Sequence, residues 1–252
     1  LTREEIANRE IGIRSDWRDG TLRLNATYFD ASWDGMRVVA LPIDPCTGLP
    51  APNPYPTSDG LGDASGWGNE MYYGTIRMAD VNADGKTDLC ARSSSRFHCW
   101  LSDGAGFPTE VLGPELSDAS GWGDPRYWGT IRMGDVNADG RSDLCARSST
   151  RLHCWLSDGA AFPTEIAGPE LSDGNGWGAA MYWSTIRISD LDGDNRADLC
   201  ARASSGFLCW RSNGSGFDDS IAGPDMANSG GWDAQQYFGT FRVADVTGDG
   251  KA

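Results

Sequence analysis

Four stretches of this chain set acidic and amide side chains at alternate positions of a short glycine-containing loop. They read DVNADGKTD from residue 80, DVNADGRSD from 135, DLDGDNRAD from 190 and DVTGDGKA from 245. In the first, Asp80, Asn82, Asp84 and Asp88 hold positions 1, 3, 5 and 9, and Lys86 offers a backbone carbonyl at position 7. The second offers Asp135, Asn137, Asp139, Asp143 and the Arg141 carbonyl. The third offers Asp190, Asp192, Asp194, Asp198 and the Arg196 carbonyl. The fourth offers Asp245, Thr247, Asp249 and the Lys251 carbonyl, and the sequence stops before its position 9. Alternate residues of a tight loop point inward, and a hard cation such as Ca²⁺ takes about six to eight oxygen ligands. The expected chemistry is therefore cation ligation, with about one Ca²⁺ per complete repeat and an incomplete fourth site. Gly85 at position 6 permits the sharp turn, and Asn195 in its place tolerates a left-handed backbone.

The competing reading is an Asx-rich turn between strands, where the same residues are common. Three loops that keep carboxylates at positions 1, 5 and 9 favour the cation, because clustered carboxylates repel one another without one. An EF-hand would need a glutamate at position 12 and flanking helices. Position 12 is Ala91, inside a strand-like stretch.

The loops recur at a fixed interval, as the residues around them do. Asp80, Asp135, Asp190 and Asp245 are 55 apart, and so are Trp67, Trp122, Trp177 and Trp232. Within one unit, GTIRMADV, TDLCAR, RFHCWLS and FPTEVLG are short, rich in β-branched and aromatic residues, and separated by Gly, Asp and Ser clusters. No sustained 3.6-residue apolar period appears. The expectation is an all-β chain of propeller blades, each of about four antiparallel strands, forming an incomplete, open propeller. Three full units and a truncated fourth span residues 58–252, after a hairpin and a Pro-rich linker over 1–57.

Each full unit carries two cysteines nine apart: Cys90 and Cys99, Cys145 and Cys154, Cys200 and Cys209. A hairpin turning at Ser94 and Ser95 would set Cys90 opposite Cys99, Leu89 beside Trp100 and Arg92 beside Phe97. Alternation then puts Leu89 and Trp100 on one face and Phe97, Cys99 and Leu101 on the other. A disulfide across such a pair is possible and would imply an oxidising compartment, against the alternative of small buried thiols. Cys46 has no partner in this scheme. His98 and His153 read as strand residues rather than zinc ligands.

Composition excludes some functions. A net charge of -15 argues against a nucleic-acid partner, since a phosphate backbone wants a basic patch. The four loops hold twelve Asp, a third of the 36 acids, so bound cations would neutralise much of the excess. No apolar run approaches the ~20 residues of a membrane helix.

The loops, the aromatic–glycine stretches YYGTIR, YWGTIR and YFGTFR, and Gly113-Pro114, Gly168-Pro169 and Gly223-Pro224 resemble FG-GAP/VCBS repeats, the blades of integrin-α-like propellers. Ser184 departs from the aromatic–glycine pattern. The resemblance implies a calcium-stabilised propeller, secreted or at the cell surface, that acts in adhesion or ligand binding. It implies about seven blades in a closed ring, so the chain reads as a piece of a longer protein. EIGIRSDWRDGTLRLNATYF, within residues 10–39, looks like a hairpin of a TonB-dependent outer-membrane receptor, with Leu22, Leu24, Ala26 and Tyr28 on one face. Membrane association would then come only through a parent protein, in the bacterial outer membrane.

Four functions follow for comparison, of which one, outer-membrane uptake with the repeats as an outer-loop insertion of such a receptor, rests only on residues 10–39. A non-catalytic module binding a protein or glycan needs repeated aromatics and structural metal. A lectin would use Trp67, Trp122, Trp177 and Trp232 to stack on sugar rings, whereas a repeat protein buries such residues between units. An enzyme would need a catalytic constellation, and no GxSxG, HExxH or Cys–His arrangement is present.

Overall fold

The computed structural model describes residues 6–17, 22–33, 61–62, 66–249 and 251. The chain divides into two compact units, Leu1–Pro52 and Asn53–Ala252. In the first, β1 (Ile6–Trp17) pairs antiparallel with β2 (Leu22–Trp33), Ile6 opposite Trp33 and Trp17 opposite Leu22. The expected hairpin is present, but its turn at Arg18–Gly20, the Pro-rich segment, Cys46 and the 57/58 boundary lie outside the described residues.

The second unit contains three four-stranded antiparallel sheets, one per full repeat, which are the expected blades. A one-turn helix α1 (Glu70–Tyr73) leads into β3 (Arg77–Ala79), β4 (Asp88–Arg92), β5 (Phe97–Leu101) and β6 (Thr109–Leu112). The next repeat gives α2 (Pro125–Trp128), β7 (Arg132–Gly134), β8 (Asp143–Arg147), β9 (Leu152–Leu156) and β10 (Thr164–Ala167). The third gives α3 (Ala180–Trp183), β11 (Arg187–Ser189), β12 (Asp198–Ala203), β13 (Gly206–Trp210) and β14 (Ile221–Ala222). A 3₁₀ turn (Asn228–Gly230) and α4 (Gln235–Phe238) follow. Strand order within each sheet follows the sequence.

The helical turns were not expected from the sequence; the first lies just before GTIRMADV, the stretch expected to be one strand. Asn69 and Asp124 cap α1 and α2 by accepting from Met71 N and Arg126 N, and Pro125 is preset for a first helical turn. Gly74, Thr75 and Ile76 then bond back to the helical turn, so the inner strand is confined to Arg77–Ala79 before the acidic loop begins.

The hairpin register is the expected one. Leu89 faces Trp100, Cys90 faces Cys99 and Arg92 faces Phe97, with the same pairing in the other two blades. The turn closes where Ser93 N donates to Arg96 O. All three cysteine pairs are disulfides.

The core lies between blades. The disulfide face of the first sheet, with Cys90, Phe97, Cys99 and Val111, packs against Trp122, Ile131, Leu144 and Ala146 of the second repeat. Cys145, Leu152, Cys154 and Ile166 meet Trp177, Ile186, Leu199 and Ala201 in the same way. Leu89, Ala91 and Trp100, on the opposite face, cluster with Trp67. Each sheet therefore has two apolar faces, one for each neighbour.

Candidate cation loops

Each of the first three acidic loops links an inner strand to the disulfide hairpin and is folded around its first aspartate. Asp80 Oδ1 accepts from the N–H groups of Asn82 and Asp84, both at 3.3 Å, and Oδ2 accepts from Gly85 N at 2.9 Å. Asp135 does the same for Asn137, Asp139 and Gly140, and Asp190 for Asp192, Gly193 and Asn195. Asp245 likewise accepts from Thr247 N and Gly248 N, and Asp249 from Lys251 N. Position 6 is left-handed at Gly85, Gly140 and Asn195, as the sequence leads one to expect. Position 4 is left-handed too, at Ala83, Ala138, Gly193 and Gly248.

Position 7 contributes more than a carbonyl. Lys86 Nζ pairs with Asp84 Oδ2 at 3.0 Å, Arg141 Nη2 with Asp139 Oδ2 at 2.6 Å, and Arg196 Nη2 with Asp194 Oδ2. The cation at position 7 thus holds the outer oxygen of position 5. Lys86 accordingly keeps the Asp84 carboxyl below its usual range.

Position 9 is buried beneath the loop. Asp88 is 0% exposed; its Oδ2 accepts from Val81 N at 2.9 Å and its Oδ1 from Ser102 N at 2.8 Å. Asp143 holds Val136 N and Ser157 N, and Asp198 holds Leu191 N and Ser212 N. Burial pushes Asp143 up to about 7 against the opposing pull of those two N–H bonds, and the nearby Asp139 and Asp135 add to the rise. Asp88 and Asp198 are raised for the same leading reason.

Neighbouring loops are joined across the blades. Ser142 N donates to Asp80 O at 2.7 Å, and Ala197 N to Asp135 O at 2.5 Å. Ser157 Oγ donates to Val81 O and Ser212 Oγ to Val136 O.

The third loop brings three carboxylates together. Oxygens of Asp190, Asp192 and Asp194 all lie within 4.8 Å of one another, the one such acidic group among the described residues. Asp198 is not part of it. Asp192 Oδ1 is buried and has no hydrogen-bond partner. Its other oxygen, Oδ2, pairs with Arg211 Nε at 3.2 Å. Three convergent carboxylates, one of which keeps a buried oxygen without a partner, fit a hard divalent cation. In the first two loops position 3 is Asn82 or Asn137, which brings an amide oxygen and one less charge.

The repeated tryptophans are packing residues. Trp67, Trp122 and Trp177 are 7%, 9% and 8% exposed and meet Trp100, Trp155 and Trp210 edge-on at 6.1–6.2 Å. Trp232, in the last repeat, is half-buried. The arginine ending each LCAR strand, which the sequence reading used only for register, is buried at Arg92, Arg147 and Arg202. It reaches Asp118, Asp173 and Asn228 respectively. Its signal was a recurring Arg with an acid 26 residues on, which the third repeat breaks with Asn228.

His98 and His153 also do more than fill a strand. His98 stacks on Trp100, its Nδ1 lies 2.7 Å from Glu110 Oε1 and its Nε2 2.9 Å from Ser93 Oγ. His153 repeats this with Glu165 and Ser148. The third blade lacks all three members, having Ala203, Leu208 and Ser220 instead. Among the described residues no helix is long and apolar enough to cross a membrane.

Comparison with known proteins places these blades. The family described as FG-GAP-like repeat matches residues 80–146 and again 135–201. No curated protein matches the chain. Among solved structures, it is similar to an Agrocybe aegerita lectin whose structure concerns recognition of non-reducing terminal N-acetylglucosamine. The TM-score is 0.56 at 20% identity, over 62% of this chain and 40% of the lectin. It is also similar to the Photorhabdus luminescens Tc holotoxin pore, with a TM-score of 0.44 at 21% identity, over 63% of this chain and 7% of that one. The chain thus spans well under two thirds of either, and the likeness to the lectin is one of fold. These matches lend no support to a receptor origin for the hairpin.

Proposed function

From the premise that this chain carries FG-GAP-like repeats, we propose that it is a calcium-clipped run of propeller blades, a non-catalytic module that presents its loops to a protein or glycan ligand outside the cell. The observation that carries this reading is the third loop, where Asp190, Asp192 and Asp194 converge and Asp192 Oδ1 has no partner. Calcium bound there would add to the positive charge that Arg196 and Arg211 already set against Asp194 and Asp192. The chain's own part is mechanical: Asp190 holds three loop amides, Asp198 ties the loop to the hairpin, and Ala197 N ties it to the preceding blade. Each loop is thus a joint between strands and between blades.

Three disulfides at equivalent register positions support an oxidising location. A non-catalytic role is supported by the Ser93–His98–Glu110 cluster, whose spacing resembles a nucleophile, base and orienting acid. Ser93 Oγ accepts from Ser95 N and Arg96 N and closes the hairpin turn, so its lone pairs are committed to the backbone. Burial of the repeated Trp supports loops, rather than those rings, as the ligand-facing surface.

Calorimetric titration of the oxidised chain with calcium tests the clip. Binding near one ion per full repeat is expected, with one fewer in Asp190→Asn; no heat and no saturation would refute it. Glycan and protein arrays probed in calcium and in EGTA test the ligand, a calcium-dependent hit being the expected result.

A further inference from the structure

The inner strands carry a second repeated feature, independent of the acidic loops. Arg77, Arg132 and Arg187 open β3, β7 and β11, which lie side by side in successive blades. Each guanidinium clips its own blade to the next. Arg77 Nε donates to Ile131 O at 3.0 Å, Arg132 Nε to Ile186 O at 2.9 Å and Arg187 Nη2 to Phe241 O at 3.1 Å. Nη1 of each folds back onto two carbonyls of its own chain, at Gly74 and Ile76, Gly129 and Ile131, and Ser184 and Ile186.

These carbonyls satisfy donors but do not balance charge. None of the three arginines has a carboxylate partner among the described residues, although the chain has 36 acids. Nη2 of Arg77 and of Arg132, and Nε of Arg187, make no hydrogen bond among the described residues. Burial lowers the affinity of Arg132 for its proton, and Arg77 and Arg187 lower it further, so the three charges feel one another. Partly buried like charges with spare, planar N–H donors favour an oxyanion between them.

We infer that the row of inner-strand starts at β3, β7 and β11 binds an oxyanion, a sulfate, phosphate or carboxylate group, on the spare N–H donors of Arg77, Arg132 and Arg187. The site recurs with the blades because each inner strand contributes one arginine. The fourth repeat continues the row with Arg242, whose Nη1 folds onto Gly239 O and Phe241 O in the same way.

The test uses the whole oxidised, calcium-saturated chain. Sodium sulfate and sodium acetate are each titrated against sodium chloride at matched ionic strength, following the melting temperature. In parallel, phenylglyoxal labelling is mapped by mass spectrometry. The expected result is a saturable rise with one or both anions, and slower labelling of Arg77, Arg132 and Arg187 but not of Arg96 or Arg151. Arg132→Gln should abolish saturation and leave only the shallow linear rise that sulfate gives any protein. The same linear rise in both proteins, with no protection of the three arginines, would overturn the site. Should Arg132→Gln not fold, labelling of the wild type decides alone, since it needs no variant.

Discussion

The Ser142 N–H donates to the Asp80 carbonyl across 2.7 Å, so the first ligand position of one loop is bonded to position 8 of the next. Ala197 N and Asp135 O repeat the link at 2.5 Å. Ordering one loop should therefore order its neighbour's backbone. Amide hydrogen exchange at Ser142 and Ala197 should slow in calcium and quicken in EGTA. Equal exchange in both conditions would mean that the joints are indifferent to the cation.

Blade spacing is set at a glycine. A Cβ on Gly129 would lie 2.8 Å from Cζ3 of Trp183 and 2.6 Å from Pro125 O; Gly74 meets Trp128 in the same way. The third blade has Ser184 at this position, and its neighbour has Phe238 where the others have Trp. Gly129→Ser should cost about 1–3 kcal/mol by overpacking. Trp183→Phe in the same chain should recover part of that loss. Denaturant unfolding of both single variants and the double variant checks this; strict additivity would contradict the contact.

Much of this was legible in the sequence because the repeat is exact in length. With 55 residues between copies and cysteines nine apart, only one hairpin register places all three pairs opposite one another. The helical turns were not legible. Each is four residues long, and although Asn69 and Asp124 are good caps, Ala179 and Ala234 make no side-chain cap bond at all. In the loops, the spacing of Asp80, Asn82 and Asp84 identified the folded-in residues. It did not reveal that Lys86 and its counterparts pair with position 5, because a side chain that curls back two residues leaves no periodic trace. Nor could it show that Asp88 spends both oxygens on Val81 N and Ser102 N, a contact that depends on where the hairpin's far strand ends.

The disulfides are buried between blades, so each contributes to stability and to packing. Cys145→Ser with Cys154→Ser opens a short loop, for which chain-entropy reasoning gives about 2–3 kcal/mol. Urea unfolding of the oxidised wild type and the double variant should differ by that order. Iodoacetamide should label none of the six cysteines in the native wild type.

Asp143 gives the metal-free protein a distinctive pH response. Its folded value of about 7 lies above the unfolded value of about 3.9, so between them the folded state keeps a proton that the unfolded state has released. Stability of the chelated chain should therefore fall as pH rises from about 4 to about 7, by on the order of a few kcal/mol, and level off above. A bound cation favours the carboxylate and should flatten the slope. Urea midpoints at the two ends of that window, in chelated and calcium-loaded protein, measure both effects. A chelated chain equally stable at both pH values would show that Asp143 is ionised throughout.

Thermal unfolding of the oxidised chain in millimolar calcium and again in excess EGTA tests the cation-clipped blade most directly. Ligand linkage gives about 2.7 kcal/mol per site at a hundredfold excess over Kd, so several sites should raise the melting temperature substantially. The account predicts that rise, reversed by EGTA. An unchanged transition would contradict it, leaving the four loops as hydrogen-bonded turns.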